Sequence, residues 1–530
     1  MPKKCFSKCH QISEAECEKT DKCYFVNGKT RKFCRLQNKY KMDKDCNIID
    51  DNDGISNGIS NGISISKRPC TYKIKVKKQK TKGTVKKDIS NPTSSEVKKA
   101  KQIKAMGIIQ NFMKRTKHMR KAEFLKAVCS DSGVCIAFGN YANEINKHFG
   151  GFKHFDYATT PINRIGNPSA NGFIHEIPYI HRGYNAYAVL KSAMKPDSDN
   201  LLYEYLVGQY INKCNKLFPC FLETYGYYTY TNPSLWKKVK TTKLIDSTDI
   251  LKTGLTLHTH ADFDIACTKS KYLCILIQHL KGIKSIKKMM SYSTFVENEL
   301  LLVLFQVYMP LLYMKNNFTH YDLHNENVNL YEPVKDSYIE FHYNDFHGKT
   351  ITFKSKYITK IIDYGRSYFK DDETGINSKK IYRDLCAQKK CKPACGDEKG
   401  FGWLYDDGLD NSTNFFISSQ KRNMSHDLRL LNEIKMDSVN YDTAKHIEPS
   451  LRAVLNKLNY NQRFGTPEAN NGMPATIMNV SDAAHMFGNL LSELAFIEAN
   501  NRVYATKTKL GDLHIYNDGR PMRFVKSVII

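Results

Sequence analysis

The chain has 530 residues, of which 41% are hydrophobic and 12% aromatic. This is enough apolar surface for at least one large core, so a wholly disordered chain is excluded. Lysine and arginine number 80 against 53 aspartate and glutamate, and the formal net charge of +27 favours polyanionic partners such as nucleic acid, an anionic membrane or a phosphorylated ligand. No window holds about 20 uninterrupted apolar residues, and the start MPKKCFSKCHQ has no apolar signal core. We therefore expect no membrane span, no ordinary secretion, and a soluble intracellular protein.

Cysteines cluster in two places. The first 46 residues have few apolar side chains, so we expect sulfur chemistry to hold them together, through disulfides or zinc. We favour disulfides or a mixed redox state, because neither a paired CxxC nor a neighbouring HxxxH is present. A second cluster could ligate zinc with His426, but free buried thiols are the interpretation we favour. The two clusters are Cys5, Cys9, Cys17, Cys23, Cys34 and Cys46, and Cys386, Cys391 and Cys395.

A disordered, lysine-rich linker is expected at 47–100. It contains the turn-forming repeat NGIS, and a lysine run follows from Lys67 to Lys104. Too little apolar surface is present there to offset the entropy of ordering. The run is either a solvated tail or a non-specific nucleic-acid contact.

A helical lead-in is expected at 101–155. Ile103, Met106 and Ile109 recur near helical spacing, with lysines and arginines on the other faces. This pattern favours packing onto the globular part that follows over a helix lying on a membrane surface.

The segment FTHYDLHNENVNLYE, residues 318–332, carries the residues that point to chemistry. It holds the pattern His-x-Asp322-Leu-x-x-x-Asn327, between an apolar helix predicted at Leu300–Met314 and an apolar strand that leads into Asp363-Tyr-Gly. Phosphoryl transfer needs a carboxylate near the attacking hydroxyl, an amide oxygen for one metal ion and a second carboxylate for the other. Asp322, Asn327 and Asp363 would supply them in that order. The alternative is a solvated helix–turn beside an unrelated strand–turn.

These motifs resemble those of the eukaryotic-like protein kinase superfamily. HYDLHNENV is similar to the catalytic loop, and the Asp-Tyr-Gly at 363–365 to the Asp-Phe-Gly metal-binding turn. The resemblance implies an upstream strand lysine, which YAVLK supplies as Lys191, and a following helix with a glutamate, for which Glu204 is the candidate. A surface ion pair is the alternative for these two. The segment SHDL resembles the helix start whose aspartate, here Asp427, braces the catalytic loop; a carboxylate favoured by the helix dipole is the alternative.

Two further stretches would contact a nucleotide. QHLKG, after an apolar strand, is similar to the hinge that presents backbone groups to an adenine, with Gln278 and Leu280 as candidates. The chain has no GxGxxG, and the best candidate for a phosphate-covering loop is IGNPSANGF, with Gly166, Ser169 and Gly172 near the phosphates. A plain turn is the alternative for this loop.

The sequence departs from the kinase pattern at several positions. Tyr321 stands where many kinases carry an arginine that reads a phosphorylated activation loop, so control by loop phosphorylation is not expected. His324 stands where serine/threonine kinases usually have a lysine. A histidine at this position resembles the loops of small-molecule and atypical kinases, which often read His-Gly-Asp-Leu-His. When protonated, His324 could donate to the transferring phosphate. No Ala-Pro-Glu element follows Gly365, and a strand-like insertion occupies 338–353.

We therefore predict an α+β, two-lobed protein kinase-like fold. A small β-rich N-lobe is expected at 156–278 and a larger α-helical C-lobe with a C-terminal extension at 279–530. The cysteine-rich segment 1–46, the linker 47–100 and the lead-in 101–155 would precede them.

The expected function is an ATP- and Mg²⁺-dependent phosphotransferase, a serine/threonine protein kinase. The resemblance implies that Lys191, held by Glu204, grips phosphate oxygens, that Asp322 orients and deprotonates the nucleophile, and that Asn327 and Asp363 hold Mg²⁺. The whole combination resembles kinase-like proteins of large nucleocytoplasmic DNA viruses, which implies the cytoplasm of an infected host (the viral factory) or the virion. The alternatives are a pseudokinase or virion structural component that binds nucleotide or nucleic acid, and a small-molecule kinase.

Overall fold

The computed structural model describes residues 127–130, 133–166, 172–196, 201–346, 348–386 (side chains to 384), 422–459 and 476–527, and the backbone of four strands between 23 and 50. The chain forms two units, Met1–Asn91 and Pro92–Ile530. In the first unit two strand pairs are antiparallel: β1 (Cys23–Asn27) with β2 (Lys32–Leu36), and β3 (Tyr40–Met42) with β4 (Ile48–Asp50). The lysine run, the amphipathic stretch at 101–126, most of the predicted linker and the sulfurs of both cysteine clusters lie outside the described residues.

Residues 127–155 open the described part of the second unit. Strands β5 (Val128–Cys129) and β6 (Cys135–Ile136) pair as a hairpin, joined by a disulfide between Cys129 and Cys135. One helix, α1 (Ala142–His148), follows. The expected helical lead-in is therefore, in these residues, a hairpin and a short helix.

A seven-stranded antiparallel sheet follows, in the order β11-β7-β8-β9-β13-β10-β12. Along β9 apolar and polar positions alternate, so Ala188 and Leu190 are buried on one face and Lys191 lies on the other. The strands are β7 (Ile162–Ile165), β8 (Gly172–His181), β9 (Tyr184–Ala193), β10 (Thr224–Tyr230), β11 (Leu244–Ile245), β12 (Leu255–His258) and β13 (Leu273–His279). The helices of this region are α2 (Leu201–Cys214), α3 (Pro233–Thr241), α4 (Asp249–Gly254) and α5 (Phe263–Thr268).

Helix α2 packs closely on this sheet. Its apolar side chains Leu202, Val207 and Ile211 are fully buried. At Gly208 a Cβ atom would lie 2.2 Å from the Thr224 hydroxyl on β10, so the absence of a side chain there allows the close approach. The helix predicted to carry Glu204 thus lies against the sheet that contains Lys191.

The rest of the unit is built around a central apolar helix, α8 (Leu300–Tyr313), which confirms the helix predicted at Leu300–Met314. It is hydrophobic all round and buried from Leu300 to Leu311, as expected for a core helix. The other helices are α6 (Ile286–Met289), α7 (Ser293–Asn298), α9 (Ser378–Cys386), α10 (Arg429–Asn440), α11 (Pro449–Asn456), α12 (Val480–Leu491) and α13 (Leu494–Val503). The short strands are β14 (Lys284–Ser285), β15 (Phe318–Thr319), β16 (Val328–Tyr331), β19 (Ile358–Ile361) and β20 (Tyr368–Phe369).

A second sheet makes this region less purely helical than the sequence suggested. The predicted insertion is a hairpin, β17 (Ser337–Phe346) with β18 (Lys349–Ser355). Strand β21 (Thr508–Tyr516) pairs parallel with β17, and β22 (Arg523–Lys526) completes the order β18-β17-β21-β22. Among the described residues, no helix combines the length and apolar character needed to cross a bilayer. The overall class is mixed α and β.

Candidate active site

Residues from three distant motifs meet at the amine of Lys191. Its Nζ donates to Oε2 of Glu204 on α2 at 2.7 Å and to Oδ1 of Asp363, after β19, at 2.9 Å. The Glu204 side chain is only 2% exposed. The pair with Glu204 is therefore not an ordinary surface ion pair, which was the alternative.

The charges of Lys191, Glu204 and Asp363 stabilise one another. Burial alone would lower the pKa of Lys191, but the carboxylates of Asp363 and Glu204 outweigh it and raise that pKa above its ordinary value. Burial would raise the pKa of Asp363, but the ammonium of Lys191 and, more weakly, the guanidinium of Arg366 lower it to about 2. At neutral pH the site holds one ammonium and an ionised Asp363, whose side chain is still 41% exposed and within reach of a ligand.

Asn327 and Asp363 are brought together by a pair of strands. Val328 on β16 pairs with Ile361 on β19, and the Asn327 carbonyl accepts a hydrogen bond from the backbone N–H of Ile362 at 3.0 Å. The side-chain amide nitrogen of Asn327 donates to the Asp322 carbonyl at 2.9 Å, which leaves the amide oxygen as the atom available to a cation. Asp363 has φ +66°, in the left-handed region that aspartate tolerates better than most residues.

Hydrogen bonds to the Asp427 side chain hold the loop that carries Asp322. The Asp427 carboxylate, just before α10, accepts hydrogen bonds from the backbone N–H of His320 at 2.8 Å and of Tyr321 at 2.9 Å. His320 contacts the Ile362 carbonyl through Nε2 at 2.9 Å, and burial lowers its pKa to about 4, so its ring is neutral at pH 7. Tyr321 is fully buried beside the His426 ring.

We expect Asp427→Ala to lower the free energy of unfolding by about 2–4 kcal/mol, because it leaves two buried N–H groups without their acceptor. Urea unfolding of the wild type and variant measures this difference. Asp246→Ala is the matched control, since Asp246 is exposed directly after β11, and we expect it to change stability by less than about 0.5 kcal/mol. An equally small effect for Asp427→Ala would show that the two hydrogen bonds do not brace the loop.

Two arginines converge on Asp322. The guanidinium of Arg429, on α10, lies 2.8 Å from Oδ1 of Asp322, and its Nε lies 2.8 Å from Glu433. The guanidinium of Arg366 lies 3.6 Å from Oδ2 of Asp322. Sequence reasoning missed both. The available signal was positional: Arg366 directly follows Asp-Tyr-Gly, and Arg429 is two residues after Asp427.

His324 lies beside the same carboxylate. Its Nε2 is 3.9 Å from Oδ1 of Asp322, and its Nδ1 accepts from the backbone N–H of Glu326 at 3.2 Å. A protonated His324 would thus add positive charge next to Asp322 without a direct hydrogen bond to it.

The predicted phosphate loop joins β7 to β8, next to the strand of Lys191. Ile174 on β8 pairs directly with Lys191, and a Cβ at Gly172 would lie 2.6 Å from the Ser192 carbonyl, so only glycine fits there without a shift. Gly166 has φ +67° at the end of β7. Ser169 lies outside the described residues.

The predicted hinge is the end of β13. The backbone N–H of Gln278 donates to the Glu223 carbonyl at 2.8 Å, and its side-chain oxygen accepts from the Glu223 N–H at 3.3 Å. Gln278 is therefore tied to the strand connection beside it, and Leu280 is buried at 3% exposure. His279 pairs with Glu176 on β8 at 3.1 Å, which joins the hinge to the strand after the phosphate loop.

A buried lysine connects the elements that carry Glu204 and Asp363. Nζ of Lys360, on β19, donates to the carbonyls of Pro219 at 2.5 Å and Phe221 at 3.1 Å, in the segment that follows α2. Burial lowers the pKa of Lys360 to about 8. Hydrogen bonds from one ammonium thus fix the strand that leads to Asp363 against the segment that follows the helix of Glu204.

Stability should depend on pH through Lys360. Its pKa is about 8 in the folded protein against an ordinary value of 10.5, so between these values the unfolded chain binds more protons and stability rises with pH. We expect urea midpoints of the wild type to rise between about pH 8 and 10 relative to those of Lys360→Met. The exposed Lys349→Met should follow the wild type. If the urea midpoints of wild type and Lys360→Met change in parallel with pH, the lowered pKa of Lys360 is contradicted.

No protein-family model matches the chain, and no curated protein matches it. Among solved structures it is similar to a Plasmodium kinase domain, with 16% sequence identity and a TM-score of 0.23. The alignment covers 41% of this chain and 53% of that one, so the chain spans about half the length of that kinase domain.

Proposed function

We propose that this chain is an ATP- and Mg²⁺-dependent phosphotransferase with a two-lobed kinase-like fold, in which nucleotide binds between the seven-stranded sheet and the helix-rich region. The observation that carries the proposal is the contact of the Lys191 amine with both Glu204, at 2.7 Å, and Asp363, at 2.9 Å. These residues come from three separate motifs and lie on three elements: Lys191 on β9, Glu204 on α2 and Asp363 after β19. A buried ammonium between two carboxylates, one of them reachable by a ligand, suits the binding of phosphate oxygens.

The residues present fit a magnesium ion. Mg²⁺ prefers oxygen ligands, keeps several waters and is held by one or two carboxylates together with substrate phosphates. The Asp363 carboxylate and the Asn327 amide oxygen are such ligands on neighbouring strand ends. When bound, the ion would neutralise charge on the phosphate oxygens.

The chain's own residues would act by position and charge. Lys191 binds phosphate oxygens and is kept charged by Glu204. Asp322 orients the acceptor hydroxyl and takes its proton, while the bracing by Asp427 fixes the loop that presents it. In this class of reaction most acceleration comes from positioning and electrostatic stabilisation.

The acceptor is proposed from the sequence resemblance alone: a serine or threonine of a protein, in the cytoplasm of a virus-infected host or in the virion. Incubation of the full chain with γ-labelled ATP, Mg²⁺ and separate protein and metabolite pools tests it. Label on protein serine or threonine is the expected result. Label only in metabolites would show that the acceptor is a small molecule, the alternative suggested by His324. Label in neither pool would contradict the proposed transfer.

One observation favours the second candidate, a pseudokinase that binds nucleotide without turnover. The carboxylate of Asp322 is already engaged by Arg429 at 2.8 Å and approached by Arg366 at 3.6 Å. A rise in melting temperature with Mg²⁺–ATP, together with no loss of γ-phosphate over hours, would support this candidate. A role for the lysine-rich linker in binding nucleic acid is a separate proposal, tested by the salt dependence of binding after deletion of 67–104.

A further inference from the structure

The guanidinium of Arg366 contacts one of the two carboxylates on which the proposed function depends and follows the other closely in the chain. It is 3.6 Å from Oδ2 of Asp322, and Arg366 comes directly after the Asp363-Tyr-Gly turn. Asp322 would face the acceptor and Asp363 the metal-bound phosphates. The phosphoryl group would be transferred from the side of Asp363 to that of Asp322, so Arg366, three residues after one and 3.6 Å from the other, would lie near its path.

The usual source of positive charge at this point is missing. His324 stands where serine/threonine kinases carry a lysine, and an imidazole is not a permanent cation. An arginine provides a permanent charge and a planar donor pair that matches phosphate oxygens. We propose that Arg366 is a catalytic residue that binds the equatorial oxygens of the phosphoryl group during transfer, an inference that rests on the proposed phosphotransferase function.

Arg429 has a different role in this arrangement. It is held at both ends, by Asp322 at 2.8 Å and by Glu433 at 2.8 Å, and Glu433 also accepts the backbone N–H of Asn325 at 3.0 Å. Its guanidinium is committed to these carboxylates and fixes the direction of Asp322. Arg429 is therefore a positioning residue, whereas Arg366 contacts Asp322 at the longer distance of 3.6 Å.

The step balances without any further reactant. The acceptor oxygen forms a bond to the γ-phosphorus as the bond from that phosphorus to the β–γ bridging oxygen breaks, and its electron pair leaves with ADP. The hydroxyl proton passes to the Asp322 carboxylate. Arg366 forms no covalent bond; it stabilises the charge on the three equatorial oxygens, as arginines supplied in cis do in other phosphoryl-transfer enzymes.

The test compares Arg366→Gln with wild type in two measurements. The first is steady-state transfer, where we expect kcat to fall about 10³-fold with the KM for ATP changed less than about threefold, and partial recovery with added guanidinium. The second is calorimetric binding of ADP and of ADP with aluminium fluoride, a mimic of the transferring phosphoryl group. The variant should bind ADP as wild type does and lose most of the extra affinity for the mimic.

Arg383→Gln is the matched control, because Arg383 is an arginine with a 74% exposed side chain paired with Asp384; it should leave both measurements unchanged. Equal losses of affinity for ADP and the mimic would overturn the inference, since Arg366 would then hold the nucleotide itself. Higher kcat in Arg366→Gln would overturn it too, because Arg366 would be a brake on Asp322. If wild-type protein neither turns over ATP nor prefers the mimic to ADP, the proposed function fails and this inference with it. If wild type turns over ATP and Arg366→Gln behaves like wild type in both measurements, the inference about Arg366 is overturned and the proposed function stands.

Discussion

Replacing Asp363 with asparagine is expected to abolish phosphoryl transfer while the protein stays folded. The amide keeps the shape of the side chain but removes the charge that faces Lys191 and the proposed metal. We expect kcat to fall by at least about 10³-fold. Asparagine tolerates the φ of +66° at this position, so the loss would not come from backbone strain.

The measurement is Mg²⁺-dependent transfer from labelled ATP, with thermal unfolding to show that the variant is folded. Asp372→Asn is the matched control, because Asp372 lies nine residues further along the chain with a 56% exposed side chain paired with Lys370. It should transfer phosphate at the wild-type rate. Full activity of Asp363→Asn would remove Asp363 from the metal site.

Replacing Lys191 with methionine is expected to have the second large effect, on both activity and stability. Transfer should fall by about 10²-fold or more, because the phosphate oxygens lose their ammonium partner. The buried carboxylate of Glu204 would lose its counter-charge, which costs about 3–5 kcal/mol of unfolding free energy. Urea unfolding and transfer assays on the same preparations measure the two effects.

The double variant Lys191→Met with Glu204→Gln separates them. Removing the unpaired charge should restore most of the stability and none of the activity. Lys147→Met is the control, since Lys147 on α1 pairs with Glu144 at the surface, where the two side chains are 73% and 48% exposed; its effect should be within about 1 kcal/mol. Recovery of activity in the double variant would show that Lys191 has only a structural role.

The local elements of the candidate site could be read from the sequence because each is encoded within a few residues. The resemblance of YAVLK to a kinase strand element marked the strand of Lys191, and a continuous apolar run marked the helix Leu300–Tyr313. The polar residues at the ends of such elements, Asp322 and Asp363 among them, were visible as breaks in the pattern.

Long-range contacts could not be read in this way. Arg429 is 107 residues from Asp322, and no periodicity in either segment predicts that they meet. The parallel pairing of β17 with β21 joins residues about 170 positions apart, and only the packed structure specifies it. Lys360 resembles any lysine in a strand until its burial against the Pro219 and Phe221 carbonyls is known.

At the short hairpin 128–136 the sequence pattern predicted helix where the structure has two paired strands. Helical spacing upstream suggested helices through residue 155, but the chain turns at Gly133, which has φ +80°, and pairs Cys129 with Cys135. A glycine and two cysteines at close spacing are better evidence for a hairpin than the extension of a periodicity beyond its last apolar residue.

The most direct test of a phosphotransferase site at Lys191, Asp322 and Asp363 is the release of γ-phosphate from ATP by purified full-length protein, with and without Mg²⁺, beside Asp322→Asn. We predict Mg²⁺-dependent release or transfer by wild type and a rate at least about 10²-fold lower in the variant. Equal rates for the two proteins, or no Mg²⁺-dependent loss of γ-phosphate from wild type, would contradict this account of the site.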